Sequence, residues 1–117
     1  MAVVATVQKL RGGYYTPQLV ADFLAQWAIE RAGVTVLEPS CGDGNISVAV
    51  ANRFLALGVP PQEVTDCLTS VELDPDEADK AAARLRSLGV GIGATPVVTS
   101  DFFTYCRETL LTGRRLM

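Results

Sequence analysis

The sequence predicts an α/β domain built on a parallel sheet, and three observations lead there. Stretches with apolar residues at helical spacing alternate with short β-branched runs. Each run ends at or just before a carboxylate, and a glycine-rich turn joins the first run to the helix after it. Such alternation selects right-handed crossovers between parallel strands, with helices on both faces of the sheet. The expected order is one helix followed by three strand–helix units.

Taken in order, Thr16 and Pro17 read as an N-cap and a first-turn proline, after which Leu19, Val20, Phe23, Leu24 and Trp27 recur at helical spacing. This helix is expected to run to about Ala32, with Gly33 as its stop. Val34 to Glu38 is the first strand, and Pro39 to Asn45 the glycine-rich turn. Ile46 to Leu57 carries a broad apolar face and is closed by Gly58 before the Pro60-Pro61 loop. Cys67 to Glu72 is the second strand. Asp74, Pro75 and Glu77 then supply an N-cap, a first-turn proline and a capping-box acid for a helix through Leu88, ended by Gly89. Pro96 to Thr99 is the third strand, followed by Asp101 and a helical tail containing Phe102, Phe103, Tyr105 and Leu110.

Composition narrows the function. A chain of 117 residues lies below the roughly 150 residues typical of one domain, so residues 1–117 are expected to hold one domain or part of one. Hydrophobic residues at 49%, charged residues at 20% and a mean hydropathy of +0.25 fit a folded core, not a disordered chain. No apolar run approaches the roughly 18 residues needed to span a bilayer, and no basic region precedes the short apolar start. A cytoplasmic protein without membrane contact is expected. Cys41, Cys67 and Cys106 are odd in number and lack a Cys-x-x-Cys spacing, which suits reduced thiols and gives no zinc ribbon. Histidine is absent, which removes imidazole bases and His-containing metal sites. The net charge of −3 has the wrong sign for gripping nucleic-acid phosphates.

The chemistry lies at the strand ends. Ligands of open α/β sheets bind beyond the carboxyl ends of the strands, where this sequence places Glu38, Glu72 and Asp101. Singly, each acid is more often a solvated loop residue or a helix cap; beside a glycine-rich turn the three together point to a ligand. Gly42 and Gly44 allow the backbone to approach that ligand, although Ser47 stands where a dinucleotide fingerprint needs its third glycine. Glu38 and Asp43 would repel a pyrophosphate at this helix start and attract an ammonium and a sulfonium. S-adenosylmethionine carries both. Glu72 can accept hydrogen bonds from vicinal ribose hydroxyls, Leu73 can cover an adenine face, and Asp101 with Phe102 can accept from the adenine amine and pack on its ring. Phe102 serves equally well as core filler.

Read together, Gly13-Tyr14-Tyr15-Thr16-Pro17, Leu37-Glu38-Pro39-Ser40-Cys41-Gly42-Asp43-Gly44-Asn45, Val71-Glu72-Leu73-Asp74 and Ser100-Asp101-Phe102-Phe103 resemble the amino-terminal half of adenine-specific DNA methyltransferases. The match is to the restriction-modification type in which the cofactor motifs precede the catalytic one. The resemblance implies a Rossmann-like S-adenosylmethionine-dependent methyltransferase fold, incomplete here, with parallel strand order 3-2-1 and a fourth strand beyond strand one. It implies that Tyr15, Thr16 and Pro17 close over the methionine end of the cofactor. Glu38, Ser40, Cys41, Gly42, Asp43 and Gly44 would surround its amino acid portion, Glu72 would hold the ribose, and Leu73, Asp101 and Phe102 would contact the adenine.

One family feature is missing from these residues. The catalytic Asn or Asp followed by Pro-Pro and an aromatic occurs nowhere, because Pro60-Pro61 is preceded by Val59 and followed by Gln62. In the family that loop meets an extruded base, since the amine is otherwise inside the duplex. No catalytic residue is therefore assigned, the chain alone is not expected to methylate, and DNA is expected to be held through parts of a parent enzyme lying outside this acidic segment. The strand ending at Glu38 is expected to carry an unpaired edge that invites self-association. The cofactor half of a protein or RNA methyltransferase, a non-catalytic nucleotide-binding module for a nicotinamide cofactor, and a remnant that binds nothing stay open as alternatives.

Overall fold

The computed structural model describes residues 2–3, 16–39 and 41–111. A parallel sheet of order β1-β2-β3-β4 is formed by β1 (Ala2–Val3), β2 (Val36–Glu38), β3 (Leu68–Glu72) and β4 (Val97–Thr99). The last three are the strands expected from the sequence, in the expected order. Five α-helices are found among the described residues: α1 (Gln18–Ala28), α2 (Asn45–Ala56), α3 (Val64–Cys67), α4 (Pro75–Ser87) and α5 (Phe102–Leu111).

Register settles which residues share a face. Val36 lies opposite Leu68, Glu38 opposite Ser70, Ser70 opposite Val97, and Glu72 opposite Thr99. Val36, Leu68 and Val97 join the core made with Ala21, Ala25, Val50, Phe54, Ala81 and Leu85 of the helices. Ser70 is held to Ser47 of α2 by a 2.7 Å hydroxyl–hydroxyl hydrogen bond, so this is the helix side. Leu37 and Val71 alternate to the other face and are buried there.

The expectation of helices on both faces is corrected for α1, α2 and α4. Neighbours in sequence also touch in space, α1 against α2 and α2 against α4, which places all three in one layer. The reason is topological. From β2 to β4 each unit advances one place in the same direction, and right-handed crossovers of constant direction keep their helices on one side.

Three further differences have local causes. Helix α1 starts at Gln18 with Pro17 in the cap position, so Thr16 is not the N-cap, and it stops at Ala28 instead of near Ala32. Ile29 leaves the helix with extended backbone to become fully buried, and its carbonyl accepts a hydrogen bond from Arg53 Nε at 2.8 Å. The face of α1 that packs is also not the large apolar one. Ala21 and Ala25 are buried, whereas Phe23 and Trp27 are 67% and 71% exposed; small side chains let α1 approach α2 closely. Finally, the open edge expected on β2 is paired over two residues, with Ala2 opposite Val36 and Val3 opposite Leu37.

Helix α4 follows its local code. Asp74 caps it, accepting from the N–H groups of Asp76 at 2.9 Å and Glu77 at 3.4 Å, with Pro75 in the first turn. The Pro60-Pro61 loop becomes a 3₁₀ turn over Pro61–Glu63 running into α3. Among the described residues no helix is long and apolar enough to cross a membrane.

Candidate functional site

The strand ends converge on Glu72. Its Oε1 accepts the N–H of Gly42 from the turn after β2 at 2.7 Å. Its Oε2 accepts the N–H of Asp74, which begins the turn into α4, at 2.9 Å. Its own carbonyl accepts the N–H of Ser100, just past β4, at 2.9 Å. One residue thus ties together the loops that follow three parallel strands. The Asp74 N–H that a full capping box would direct to Glu77 goes to Glu72 instead. Glu72 is 7% exposed, and its carboxylate retains acceptor capacity, since two oxygens offer about four lone-pair positions. Leu73, the next residue, is 68% exposed at the rim.

The turn itself is shaped by glycine. Gly42 and Gly44 adopt φ of 57° and 101°, conformations that side-chain-bearing residues resist. Their duties differ. A Cβ on Gly44 would stand 3.1 Å from both Cα and Cβ of Ala81, so this glycine admits α4 against the start of α2 rather than a ligand. Cys41 is buried, its N–H bonded to the Val71 carbonyl at 2.9 Å and its thiol directed at the Gly42 carbonyl at 3.6 Å.

The acids separate into different environments. Glu38 is fully buried at the end of β2, where a carboxylate favours cationic or hydrogen-bonding company. Asp43 lies at the turn with Oδ1 3.8 Å from Arg84 Nη1, so part of its charge is met by the protein. Asp101 is committed to capping α5, its Oδ2 accepting from the Thr104 N–H and hydroxyl, each at 2.9 Å. The Thr104 backbone hydrogen bond, followed by that of its hydroxyl, holds the Asp101 carboxyl below its ordinary value. Phe102 is half-buried and packs near Phe103, with ring centroids 6.0 Å apart.

Thr16 is buried and Pro17 exposed where the chain approaches α1. Tyr15 and Ser40, with Tyr14, lie outside the described residues. The structure brings Gly42, Glu72, Leu73 and Asp74 together and joins Ser100 and Asp101 to them through the backbone. Cys67, whose thiol is pushed up by burial and then by Asp66 and Glu63, sits at the opposite end of β3.

Sequence reasoning missed Gln18, Asn45 and Arg84. Arg84 Nη1 donates to Asn45 Oδ1 at 2.7 Å and to the Asp43 carbonyl at 3.2 Å, and Nη2 donates to Gln18 Oε1 at 3.2 Å. Asn45 Nδ2 donates to the Thr16 carbonyl at 2.7 Å. The available signal was an arginine beside the buried positions Ala78, Ala81, Ala82 and Leu85 of α4, where alanine brings the neighbouring helix within reach. No protein-family model matches the chain, and no curated protein matches it.

Proposed function

We propose that this chain is the S-adenosylmethionine-binding segment of an adenine-specific DNA methyltransferase. The observation that carries the reading is the convergence of the Gly42 turn, the Glu72 carboxylate and the exposed Leu73 side chain beyond the carboxyl ends of parallel strands. An adenosine needs such an arrangement: acceptors for its ribose hydroxyls beside an apolar surface for its base. The residue strings that resemble the family fall on these positions. Buried Glu38, with the turn acid Asp43 whose charge Arg84 meets in part, supplies negative charge for an ammonium and a sulfonium, and suits a dinucleotide pyrophosphate poorly.

The bound cofactor would supply an electrophilic methyl group, and the acceptor proposed by resemblance is the exocyclic amine of adenine in DNA. The residues of this chain bind and orient. Glu72 fixes the ribose, Leu73 the base, and Gly42 the path of the turn. Asp101 contributes through whatever acceptor capacity its capping role leaves, with Phe102 beside it. These residues contain no Asn-Pro-Pro-aromatic string; their part is cofactor binding, and base recognition and phosphate contact fall to other segments of the parent enzyme. A cytoplasmic setting accords with Cys41, Cys67 and Cys106 standing outside any disulfide.

Calorimetric titration with S-adenosylmethionine, with NAD as control, tests the reading. Saturable binding of the first alone is expected. Glu72→Gln, which keeps one carbonyl acceptor but removes the charge, should weaken it about ten- to hundredfold, the worth of a charge-assisted hydrogen bond. Preferential binding of NAD would overturn the proposal.

A further inference from the structure

Four elements meet beside the glycine turn through a single chain of hydrogen bonds. Arg84 comes from α4, Gln18 from α1, Asn45 from the first turn of α2, and Asp43 from the turn itself. The Asn45 amide stands between two partners of opposite kind. Its oxygen accepts from the Arg84 guanidinium, and its nitrogen donates to the Thr16 carbonyl, each at 2.7 Å. A flipped amide would set donor against donor and acceptor against acceptor, so the orientation is fixed by its surroundings. Gln18 closes the circuit, with Nε2 donating to Asp22 Oδ1 at 2.9 Å and to the Asn45 carbonyl at 3.5 Å.

The Thr16 carbonyl precedes the cap of α1 and has no acceptor duty in the helix, whereas the Pro17 carbonyl already takes the Ala21 N–H at 2.9 Å. Asn45 therefore decides where the chain leading into α1 lies relative to the turn. The guanidinium is an unusual neighbour for a helix start, where the backbone dipole favours negative charge. Asp43 and three oxygen acceptors offset that disadvantage, and a rigid fork of donors suits Arg where Lys has one point charge.

We infer that Asn45 and Arg84 act as a latch that fixes the Thr16–Pro17 lead-in against the Gly42–Gly44 turn and so positions two walls of the cofactor site. The inference rests on the cofactor-binding reading for its consequence and on the hydrogen bonds for its geometry. Neither residue needs to touch the ligand; both are positioning residues.

The test uses Asn45→Asp and Arg84→Met in the full chain, read by amide hydrogen exchange without ligand and by titration with S-adenosylmethionine. Asn45→Asp keeps an acceptor for Arg84 and adds an anion to the first turn of α2, which favours the helix, yet it loses the donor to Thr16. Its Tm should therefore hold or rise while exchange of the Ala21 amide quickens several-fold and cofactor affinity falls about tenfold. A purely structural role would move affinity and Tm together. Arg84→Met should quicken exchange at Ala21 and Val48 with the Phe54 amide unchanged. Unaltered exchange at Ala21 in both variants overturns the latch. Quickened exchange with wild-type affinity overturns its positioning role. If the wild-type chain binds no S-adenosylmethionine, the cofactor reading fails, while the exchange measurements still decide whether the latch exists.

Discussion

The Glu72 carboxylate accepts the Gly42 N–H at 2.7 Å, so the acid that ends β3 holds the turn that follows β2. Glu72 is thus part of the fold before it is part of any ligand contact. Removing it exposes two backbone donors to loss of their partner, and Glu72→Ala should lower unfolding free energy by about 2–3 kcal/mol. Urea unfolding checks this. A loss well under 1 kcal/mol would mean that water replaces the carboxylate without cost.

Gly44 and Gly33 should respond oppositely to alanine. Gly44 combines φ of 101° with Ala81 atoms 3.1 Å from any added Cβ, and Gly44→Ala should cost about 1–3 kcal/mol. Gly33 has nothing within 4 Å of its Cβ position and is not among the positive-φ glycines. Gly33→Ala should stabilise by about 0.4–1 kcal/mol through the unfolded state. Paired denaturation curves decide both.

The aromatic residues sort by burial and not by size. Phe54 is fully buried in the core, so Phe54→Ala should cost about 3–5 kcal/mol. Trp27 is mostly exposed, and Trp27→Ala should stay within about 0.5 kcal/mol of wild type. A large loss at Trp27 in calorimetric melting would show that this face of α1 is covered in solution.

Acid should release the start of α5. Asp101 has its carboxyl lowered by the Thr104 hydrogen bonds, so its folded value lies below its unfolded one. Its contribution is fully present above the ordinary value of 3.8 and is lost as pH falls through the lower folded value. An NMR titration following the Thr104 amide should report a midpoint below 3.8, and Thr104→Val should move that midpoint upward by removing the hydroxyl donor.

Where structure was written in neighbouring residues, it could be read. Asp74-Pro75 announces α4 because cap and proline act within one turn, and the three strands follow from β-branched runs bounded by glycine, proline and acids. The packing face of α1 could not be read that way. Its large apolar positions and its alanines are both helically spaced, and the approach of α2 decides in favour of Ala21 and Ala25. The same contrast divides the site. Gly42 and Glu72 stand in recognisable strings, whereas Arg84 meets Gln18 across 66 positions, a distance at which no local pattern speaks. The single layer of α1, α2 and α4 could not be read either, because alternation specifies parallel strands without specifying where their order reverses.

The side-by-side progression of strand–helix units resembles a repeat array, in which each unit leans chiefly on its neighbours. Arrays of that kind can fray from an end while the remainder stands. Arg84 works against this, because its reach from α4 to α1 skips the intervening helix and lets the loss of one flank be felt at the other. A sheet assembled step by step thus carries one direct tie between α1 and α4 across the helix that separates them.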